Sequence, residues 1–289
     1  MVDVKTAIIG GTGLYSMDDI TIIDSIDLKT PFGDTSDSIK IARVKNRDIA
    51  FLPRHGVGHR LLPSEIPVKA NIWALKKLGV ERIISISAVG SLKEEIRPRD
   101  IIIPDQIIDR TKLRANTYFG NGIAGHVSFA DPFCEELSEV LYGTVQSLNY
   151  RVHRDETYVC MEGPLFSTRA ESNMYRSWGG GIIGMTALPE AKLAREAEIC
   201  YSVMAFSTDY DCWKNDEEDV TIEIVIENLK ANSEAAGIII KNIIKKLPQH
   251  RTCQCMQAAK YAIITDKNHI PESAKKDLSI FYGKYWHKE

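Results

Sequence analysis

The chain has 289 residues, of which 44% are hydrophobic and 26% charged, and its 36 basic and 39 acidic side chains leave a formal net charge of −3. This composition is typical of a folded globular protein and excludes a disordered or fibrous one. The small negative charge, without a block of consecutive basic residues, argues against a protein that binds nucleic acid or an anionic membrane. An anionic ligand would therefore have to be bound locally.

Neither a secretory signal nor a membrane span is expected from the sequence. Its first residues carry Asp3 and only a short apolar run before Gly10, which does not match a secretory signal. No run of about 18 apolar residues predicts a membrane span. Six cysteines in a chain of this length are too few for a secreted disulfide framework. We therefore expect a cytoplasmic protein.

Short apolar runs that end at Gly, Pro or polar residues predict buried strands. In chain order these runs are Lys5 to Ile9, Ile39 to Val44, Ile49 to Leu52, Val80 to Ser87, Ile101 to Ile103, Thr157 to Met161, Ile182 to Met185 and Cys200 to Phe206.

Helical patterns lie between these strands. They predict helices from Ser64 to Leu78, over Leu137 to Leu148, from near Thr168, from Pro189, and from Val220 to Leu247. Strands that alternate with helices indicate an α/β domain. We expect that domain to cover residues 1–248, followed by a tail, 249–289, that packs on the same domain or on a neighbouring subunit.

Several predicted strand ends carry groups that suit an anion. Ligands of α/β sheets bind beyond the carboxyl ends of the strands. The residues there are Gly10-Gly11-Thr12-Gly13, Arg54-His55, Ser87-Ala88 and Met185-Thr186. A glycine-containing loop after a strand is most often only a turn, but together these loops predict one oxyanion pocket. The absence of a Walker lysine favours inorganic phosphate, and GGTG lacks the third glycine of a dinucleotide fingerprint.

Two carboxylates, Asp209 and Asp211, follow the last apolar strand. Their spacing is compatible with a solvated turn, a metal site or an acid that acts on a substrate. No metal-binding pattern accompanies them, so no metal is expected. The strand before them and Trp213 after them favour a partly buried site, where a carboxylic acid can keep its proton near neutral pH.

Seven motifs extend these observations: GGTG at 10–13, RHG at 54–56, GSLKEEIRP at 90–98, DQIIDRT at 105–111, MEGPLFSTRAES at 161–172, GMTALPEAKLAREAEICY at 184–201 and STDYDCW at 207–213. Together they resemble the methylthioadenosine phosphorylases of the trimeric purine nucleoside phosphorylase family, over residues 4–245. The resemblance implies a single α/β domain with a central mixed, partly barrel-like β-sheet flanked by helices. It also implies a homotrimer or a homohexamer (a dimer of trimers), and phosphorolysis of 5′-methylthioadenosine to adenine and 5-methylthioribose 1-phosphate.

The resemblance assigns roles to individual residues. Phosphate, a co-substrate, would be bound by Thr12, Arg54, His55, Ser87, Ala88 and Thr186. Met185 would contact the ribose, Phe166 the purine face, and Asp209 and Asp211 the purine edge, with Asp209 as the catalytic acid. Specificity for the 5′ group would come from Ser167, Ile222, Val225 and Ile226, and from His126 of an adjacent subunit. No cofactor is implied.

The base and the 5′ group leave an alternative open. Asp at both 209 and 211 favours a 6-aminopurine, because adenine offers an acceptor at N7 and a donor at N6. Leu165 stands where many relatives have Arg, which keeps open a purine nucleoside or methylthioinosine phosphorylase that acts on 6-oxopurines. Ile222, Val225 and Ile226 also fit the core-facing side of an ordinary helix.

Two other classes of protein could use part of this pattern. A nucleotide-binding oxidoreductase would use the GGTG loop but leaves Arg54 and His55 unexplained. A non-catalytic nucleoside-binding protein would need neither the phosphate loops nor the acid.

The cysteines leave their redox state open. Cys253 and Cys255 form a CxC pair, which alone lacks the second pair of a closed zinc site. The resemblance implies that some thermophilic relatives have a CxC disulfide in this region. It also implies that Cys134 and Cys200 occupy positions at which a disulfide can form. We favour free thiols, because the cytosol is reducing.

Overall fold

The structure is a computed structural model that describes residues 4–11, 21–214 and 222–286, without the side chains at 222–226 and 229. Its strands are β1 (Thr6–Gly10), β2 (Thr21–Ile26), β3 (Lys29–Thr30), β4 (Gly33–Asp34), β5 (Ile39–Val44), β6 (Arg47–Pro53), β7 (Arg82–Ser91), β8 (Ile101–Ile103), β9 (Gln106–Arg110), β10 (Val152–Arg154), β11 (Thr157–Met161), β12 (Gly180–Gly184) and β13 (Cys200–Asp209). Its α-helices are α1 (Val68–Lys77), α2 (Glu135–Ser147), α3 (Arg169–Ser177), α4 (Ala187–Glu196), α5 (Ile222–Lys246) and α6 (Glu272–Trp286).

The central sheet is mixed. Its strands are ordered β10-β8-β13-β7-β1-β6-β5-β2, and β12, β11 and β9 branch from β7. The neighbours β6, β1, β7 and β13 are parallel, so their carboxyl ends share one edge. The branch strand β12 is antiparallel to β7 and pairs Ile183 with Gly90. The residues that follow β12 therefore run back beside the carboxyl end of β7, at that same edge of the sheet.

Both faces of this sheet are buried, which explains the continuous apolar runs in the sequence. Successive side chains of a strand point to opposite faces. In β13, Val203 and Ala205 join a core cluster with residues of α1, α4 and α6, whereas Met204 and Phe206 join a second cluster with residues of α2 and α5. The arrangement confirms the predicted α/β fold with a central mixed sheet and flanking helices.

Several predicted boundaries need correction. The first helix begins at Val68 rather than after Ser64, because Pro67 disfavours helical geometry at the residue before it. The strands β2, β9 and β10 were not predicted, since their side chains are mostly exposed or half-buried and form no apolar run. Across the described residues, no helix has the length and apolar content that crossing a membrane requires.

The C-terminal segment packs on the rest of the chain through α6. Phe281 and Tyr282 are buried and belong to the cluster on the α1 side of the sheet. The Phe281 ring lies 4.6 Å from that of Tyr118. Trp73 of α1 donates its indole N–H to the carbonyl of Asp277 at 3.0 Å. The helix thus completes one face of the core.

This packing predicts a large loss of stability for Phe281→Ala. The ring is 2% exposed, and its removal leaves a cavity, so we expect the free energy of unfolding to fall by about 3–5 kcal/mol. Urea unfolding followed by circular dichroism measures the change. Lys276→Ala, at an exposed position of the same helix, is the control and should shift stability by no more than about 0.5 kcal/mol. If Phe281→Ala lowered the free energy of unfolding no more than this control does, α6 would add little to the core.

Candidate active site

A cavity of about 680 Å³ opens at the edge where β1, β6, β7 and β13 end. Strands that run in parallel deliver the residues after them to one place, so motifs distant in sequence meet there. The predicted residues that line this cavity are Arg54, His55, Ser87, Ala88, Phe166, Met185, Thr186, Asp209 and Asp211.

Arg54 enters the cavity as a buried cation with fixed geometry. Its Nε lies 2.6 Å from Glu190 Oε1, and the guanidinium is 2% exposed. Nη1 donates to the carbonyl of Ile86 at 2.8 Å, and Nη2 donates to Ser85 Oγ at 2.7 Å and Glu190 Oε2 at 3.2 Å. Nη2 also lies 3.4 Å from the carbonyl oxygen of Ile9. These contacts engage most of the N–H donors of the guanidinium, and Arg54 also lines the cavity.

His55 is neutral at this site. Its Nδ1 lies 2.8 Å from the carbonyl oxygen of Leu61, which can only accept, so Nδ1 carries the hydrogen and Nε2 is the acceptor. Burial and the Arg54 charge lower the pKa of His55 to about 4. The ring of His59, which also lines the cavity, stacks on it at 4.2 Å between centroids. His55 therefore offers the cavity a hydrogen-bond acceptor rather than a positive charge.

Ser87 and Thr186 bring two hydroxyls together. Ser87 Oγ lies 2.9 Å from Thr186 Oγ1, a contact that follows from the return of β12 along β7. Since each hydroxyl has one hydrogen, the pair keeps one O–H for a ligand when the other is shared between the two oxygens. Ala88 is exposed within an otherwise buried stretch of β7, because it faces the cavity.

Asp209, which is half-buried, and Asp211, which is buried, form an acidic pair at the end of β13. Asp209 Oδ2 accepts from Thr208 Oγ1 at 2.6 Å, and its Oδ1 accepts from the backbone N–H of Asp211 at 2.8 Å. Asp211 has a positive φ of 52°, a conformation that Asp adopts more readily than most residues. Burial raises the pKa of both carboxyls. A side chain at Gly90 would lie 3.0 Å from Asp209 Oδ1, so this glycine makes room for the carboxylate.

The loops around β11 and β12 supply the remaining lining. Phe166 is 55% exposed at the cavity wall, just before the capping box that starts α3 at Thr168. Met185 follows β12, and its carbonyl accepts from Arg114. Ser167 is not among the described lining residues; its hydroxyl lies 3.6 Å from Met161 Sδ, and Met161 does line the cavity.

The other predicted residues lie elsewhere or outside the described part of the chain. His126 is exposed, and its backbone N–H donates to the carbonyl of Ala262, away from the described lining of its own chain. Thr12 lies outside the described residues. The same is true of the side chains of three further predicted residues, Ile222, Val225 and Ile226, whose backbone forms the first turns of α5.

Sequence reasoning missed the residues that hold the site in place. Glu190 is 1% exposed and accepts hydrogen bonds from Arg54, Ser85 and Tyr201. The sequence signal that could have identified it is a single acidic residue among the apolar residues at the start of a helix. Asn228 and Asn232 are spaced one turn apart on α5. Their amides donate to the carbonyls of Thr208 at 2.6 Å and Ser207 at 3.1 Å, which fixes α5 across the end of β13.

A comparison with protein families decides which kind of site this is. The model of the phosphorylase superfamily matches residues 5–245. The chain belongs to the phosphorylase superfamily. This membership excludes the oxidoreductase that the GGTG loop alone left open, and it is consistent with the oxyanion side of the cavity.

Relatives of this phosphorylase are similar over nearly their whole length. An S-methyl-5′-thioadenosine phosphorylase of Geobacter sulfurreducens is 54% identical, with 96% of this chain and 98% of that protein covered. The crystal structure of a methylthioadenosine phosphorylase from an antarctic soil metagenomic library has a TM-score of 0.93 at 44% identity, covering 97% and 99% of the two chains. A methylthioadenosine phosphorylase from Schistosoma mansoni in complex with adenine has a TM-score of 0.84 at 33% identity, covering 89% and 96%.

The raised pKa of Asp209 predicts a pH-dependent effect of Asp209→Asn on the phosphorylase. The folded-state pKa exceeds that of the unfolded chain, so the unfolded state binds fewer protons between the two values and the wild-type chain loses stability as pH rises through them. Asn cannot ionise. We therefore expect the variant's free energy of unfolding, relative to wild type, to be higher at neutral than at acid pH, measured by urea unfolding across a pH series. Asp131→Asn, at an exposed position, is the control; a pH-independent difference for Asp209→Asn would contradict the burial argument.

Proposed function

We propose that the chain is a pentosyltransferase, an S-methyl-5′-thioadenosine phosphorylase that converts methylthioadenosine and inorganic phosphate to adenine and 5-methylthioribose 1-phosphate. One observation carries the proposal: the same cavity is lined both by oxyanion donors around Arg54 and by the carboxyl group of Asp209. Breaking an N-glycosidic bond builds positive charge on the sugar and negative charge on the base. A phosphate ion held by the oxyanion donors would stabilise the first, and a proton from Asp209 would neutralise the second. The named activity of the relatives supports the same reaction.

At the phosphate end, the described groups bind the anion by hydrogen bonds. HPO₄²⁻ has one O–H, which can donate to Nε2 of His55, and its other oxygens can accept from Arg54 and the Ser87–Thr186 pair. Thr12 and the Ala88 backbone complete the expected set. The oriented dianion stabilises the developing oxocarbenium ion and attacks C1′ as the electrons of the C1′–N9 bond pass to the purine.

At the purine end, Asp209 acts as the general acid. Its raised pKa favours the protonated form, which can donate to N7 so that adenine leaves as a neutral molecule. The same carboxyl can accept from the N6 amino group, and Asp211 holds it through the backbone N–H contact. A 6-oxopurine would place acceptors at both positions, so the acid selects adenine.

The sugar and 5′ group meet the remaining expected contacts. Met185 lies against the ribose and Phe166 against the purine face. The family resemblance assigns the pocket for the methylthio group to the apolar residues Ile222, Val225 and Ile226, together with Ser167 and with His126 from a neighbouring subunit. A ribose 5′-hydroxyl would be unsatisfied in such a pocket, so adenosine should be a poorer substrate. The exposure of His126 in one chain is compatible with a homotrimer or a dimer of trimers.

The reaction places the protein in purine and methionine salvage in the cytoplasm, with phosphate as co-substrate and without a catalytic cofactor. The decisive experiment measures adenine release from methylthioadenosine with and without phosphate, against methylthioinosine, inosine and adenosine. Phosphate-dependent release with methylthioadenosine preferred is expected. Release without phosphate would indicate a hydrolase, and preference for inosine would overturn the base assignment.

Substitution of Asp209 tests the acid. Asp209→Ala removes the proton donor, so we expect kcat to fall by at least about 100-fold. Asp209→Asn replaces the acid with an amide that can donate to O6, so the ratio of kcat/KM for methylthioinosine to that for methylthioadenosine should rise. Steady-state assays with both substrates measure these changes. A wild-type rate in Asp209→Ala would remove this residue from the mechanism.

Substitution of Ser87 tests the phosphate end. Ser87→Ala removes a hydrogen bond to a charged ligand, worth about 1.5–3 kcal/mol, so KM for phosphate should rise by roughly 10- to 100-fold. Ser91→Ala, on the same strand but bonded to the carbonyl of Lys93, is the matched control and should leave KM for phosphate unchanged. An equal phosphate KM in both variants would contradict the assignment of Ser87.

A further inference from the structure

Four cysteines that are distant in sequence meet away from the cavity, on the side of the sheet that α2 and α5 cover. The Sγ atoms of Cys134, Cys200, Cys253 and Cys255 all lie within 4.8 Å of one another. Cys253 is half-buried and the other three are buried. The CxC pair alone lacks the second pair of ligands that a closed zinc site needs, and the fold supplies that pair as Cys134 and Cys200.

The backbone holds the four residues in place independently of any bond between their sulfurs. Cys134 immediately precedes α2, and its N–H donates to the carbonyl of Tyr201 at 2.8 Å, beside Cys200 at the start of β13. The N–H of Thr252 donates to Glu136 of α2 at 2.8 Å, which fixes the chain just before Cys253.

The two cysteines of the CxC pair share one direction because the backbone changes conformation between them. Cys253 has extended geometry, with φ −71° and ψ 160°, and Cys255 lies in the short 3₁₀ helix Gln254–Gln257 that follows. This turn brings both sulfurs towards those of Cys134 and Cys200.

Two neighbouring groups can stabilise negative charge on two of these sulfurs, those of Cys134 and Cys200. Cys134 is at the N-terminus of α2, where the helix dipole stabilises an anion. The side chain of Arg251 is half-buried, and its Nη1 lies 3.8 Å from Cys200 Sγ. Thiolates, rather than thiols, are the form that binds a metal ion.

We propose that Cys134, Cys200, Cys253 and Cys255 bind one Zn²⁺ in a closed, structural tetrathiolate site. Tetrahedral Zn–S bonds of about 2.3 Å place the sulfurs roughly 3.8 Å apart, within the spread of this cluster. A disulfide needs about 2.05 Å and joins only two sulfurs, whereas Cys200 and Cys253 are 3.2 Å apart and the other two sulfurs adjoin them. On binding, protonated thiols release their protons to solvent, and no oxidant takes part.

The proposed zinc site joins the start of α2, the start of β13 and the C-terminal segment. All four coordination positions are filled by protein, which leaves none for a substrate, and none of the four cysteines lines the described cavity. The site would therefore stabilise the fold and hold the segment after α5 in place.

Metal analysis of the chain purified under reducing conditions tests this proposal. We expect about one zinc per chain, or uptake of about one equivalent by reduced, metal-free protein. Replacement by Co²⁺ should give the visible d–d bands and the thiolate charge-transfer absorption of a tetrahedral cobalt–sulfur site. Removal of the metal by a chelator should lower Tm, and added Zn²⁺ should restore it.

Variants separate this site from other thiols. The double variant Cys253→Ser/Cys255→Ser should lose the bound metal and the chelator-dependent change in Tm. Cys160→Ser, at a fully buried cysteine of β11, is the matched control and should keep both. The wild-type experiment does not depend on the folding of any variant. Failure of the reduced wild-type chain to bind Zn²⁺ or Co²⁺, or peptide mapping that finds Cys253–Cys255 or Cys134–Cys200 disulfides in metal-free purified protein, would overturn the proposal.

Discussion

The ion pair between Arg54 and Glu190 is the interaction on which the cavity depends. An unpaired guanidinium at a position 2% exposed would be strongly destabilising, and Glu190 together with the carbonyl of Ile86 and the hydroxyl of Ser85 compensates it. The same contacts tie β6, β7 and α4 to one another. A cation that lines the cavity can therefore lie in the core, because Glu190, Ile86 and Ser85 surround it with hydrogen-bond acceptors.

The pair also determines how an anion can be bound. Glu190 balances the charge of Arg54, and His55 is neutral, so these residues give the phosphate end little net positive charge. A phosphate ion would instead be held by the direction of a few hydrogen bonds, in a site where burial makes each of them stronger than in water. This arrangement agrees with a chain whose overall charge is only −3. It also makes bound phosphate, rather than the resting site, the group that would stabilise positive charge on the sugar.

The sequence predicted those features that depend on local pattern. The bounds of β5, β8 and β11 match their apolar runs, and the strand-end rule brought Arg54, Ser87 and Asp209 to one site. Features that depend on contacts between distant segments were missed. Glu190 is recognisable only beside Arg54, Asn228 only against the end of β13, and the cysteine cluster only after the sheet and the C-terminal segment have been assembled.

The strand β13 explains how the fold tolerates the desolvated carboxyl of Asp209 and the positive φ of Asp211. Its ten residues pair with β7 along nearly the whole strand and with β8 on the other side. At its carboxyl end, Asn228 and Asn232 bind the two carbonyls just before Asp209. At its amino end, roughly 30 Å away at about 3.3 Å per residue, Cys200 lies in the cysteine cluster.

Desolvation of Asp209 and the positive φ of Asp211 both oppose folding locally, and a strand held at both ends and on both sides keeps them in place. The desolvation that raises the pKa of Asp209 therefore depends on the rigidity of β13 as much as on the lining of the cavity.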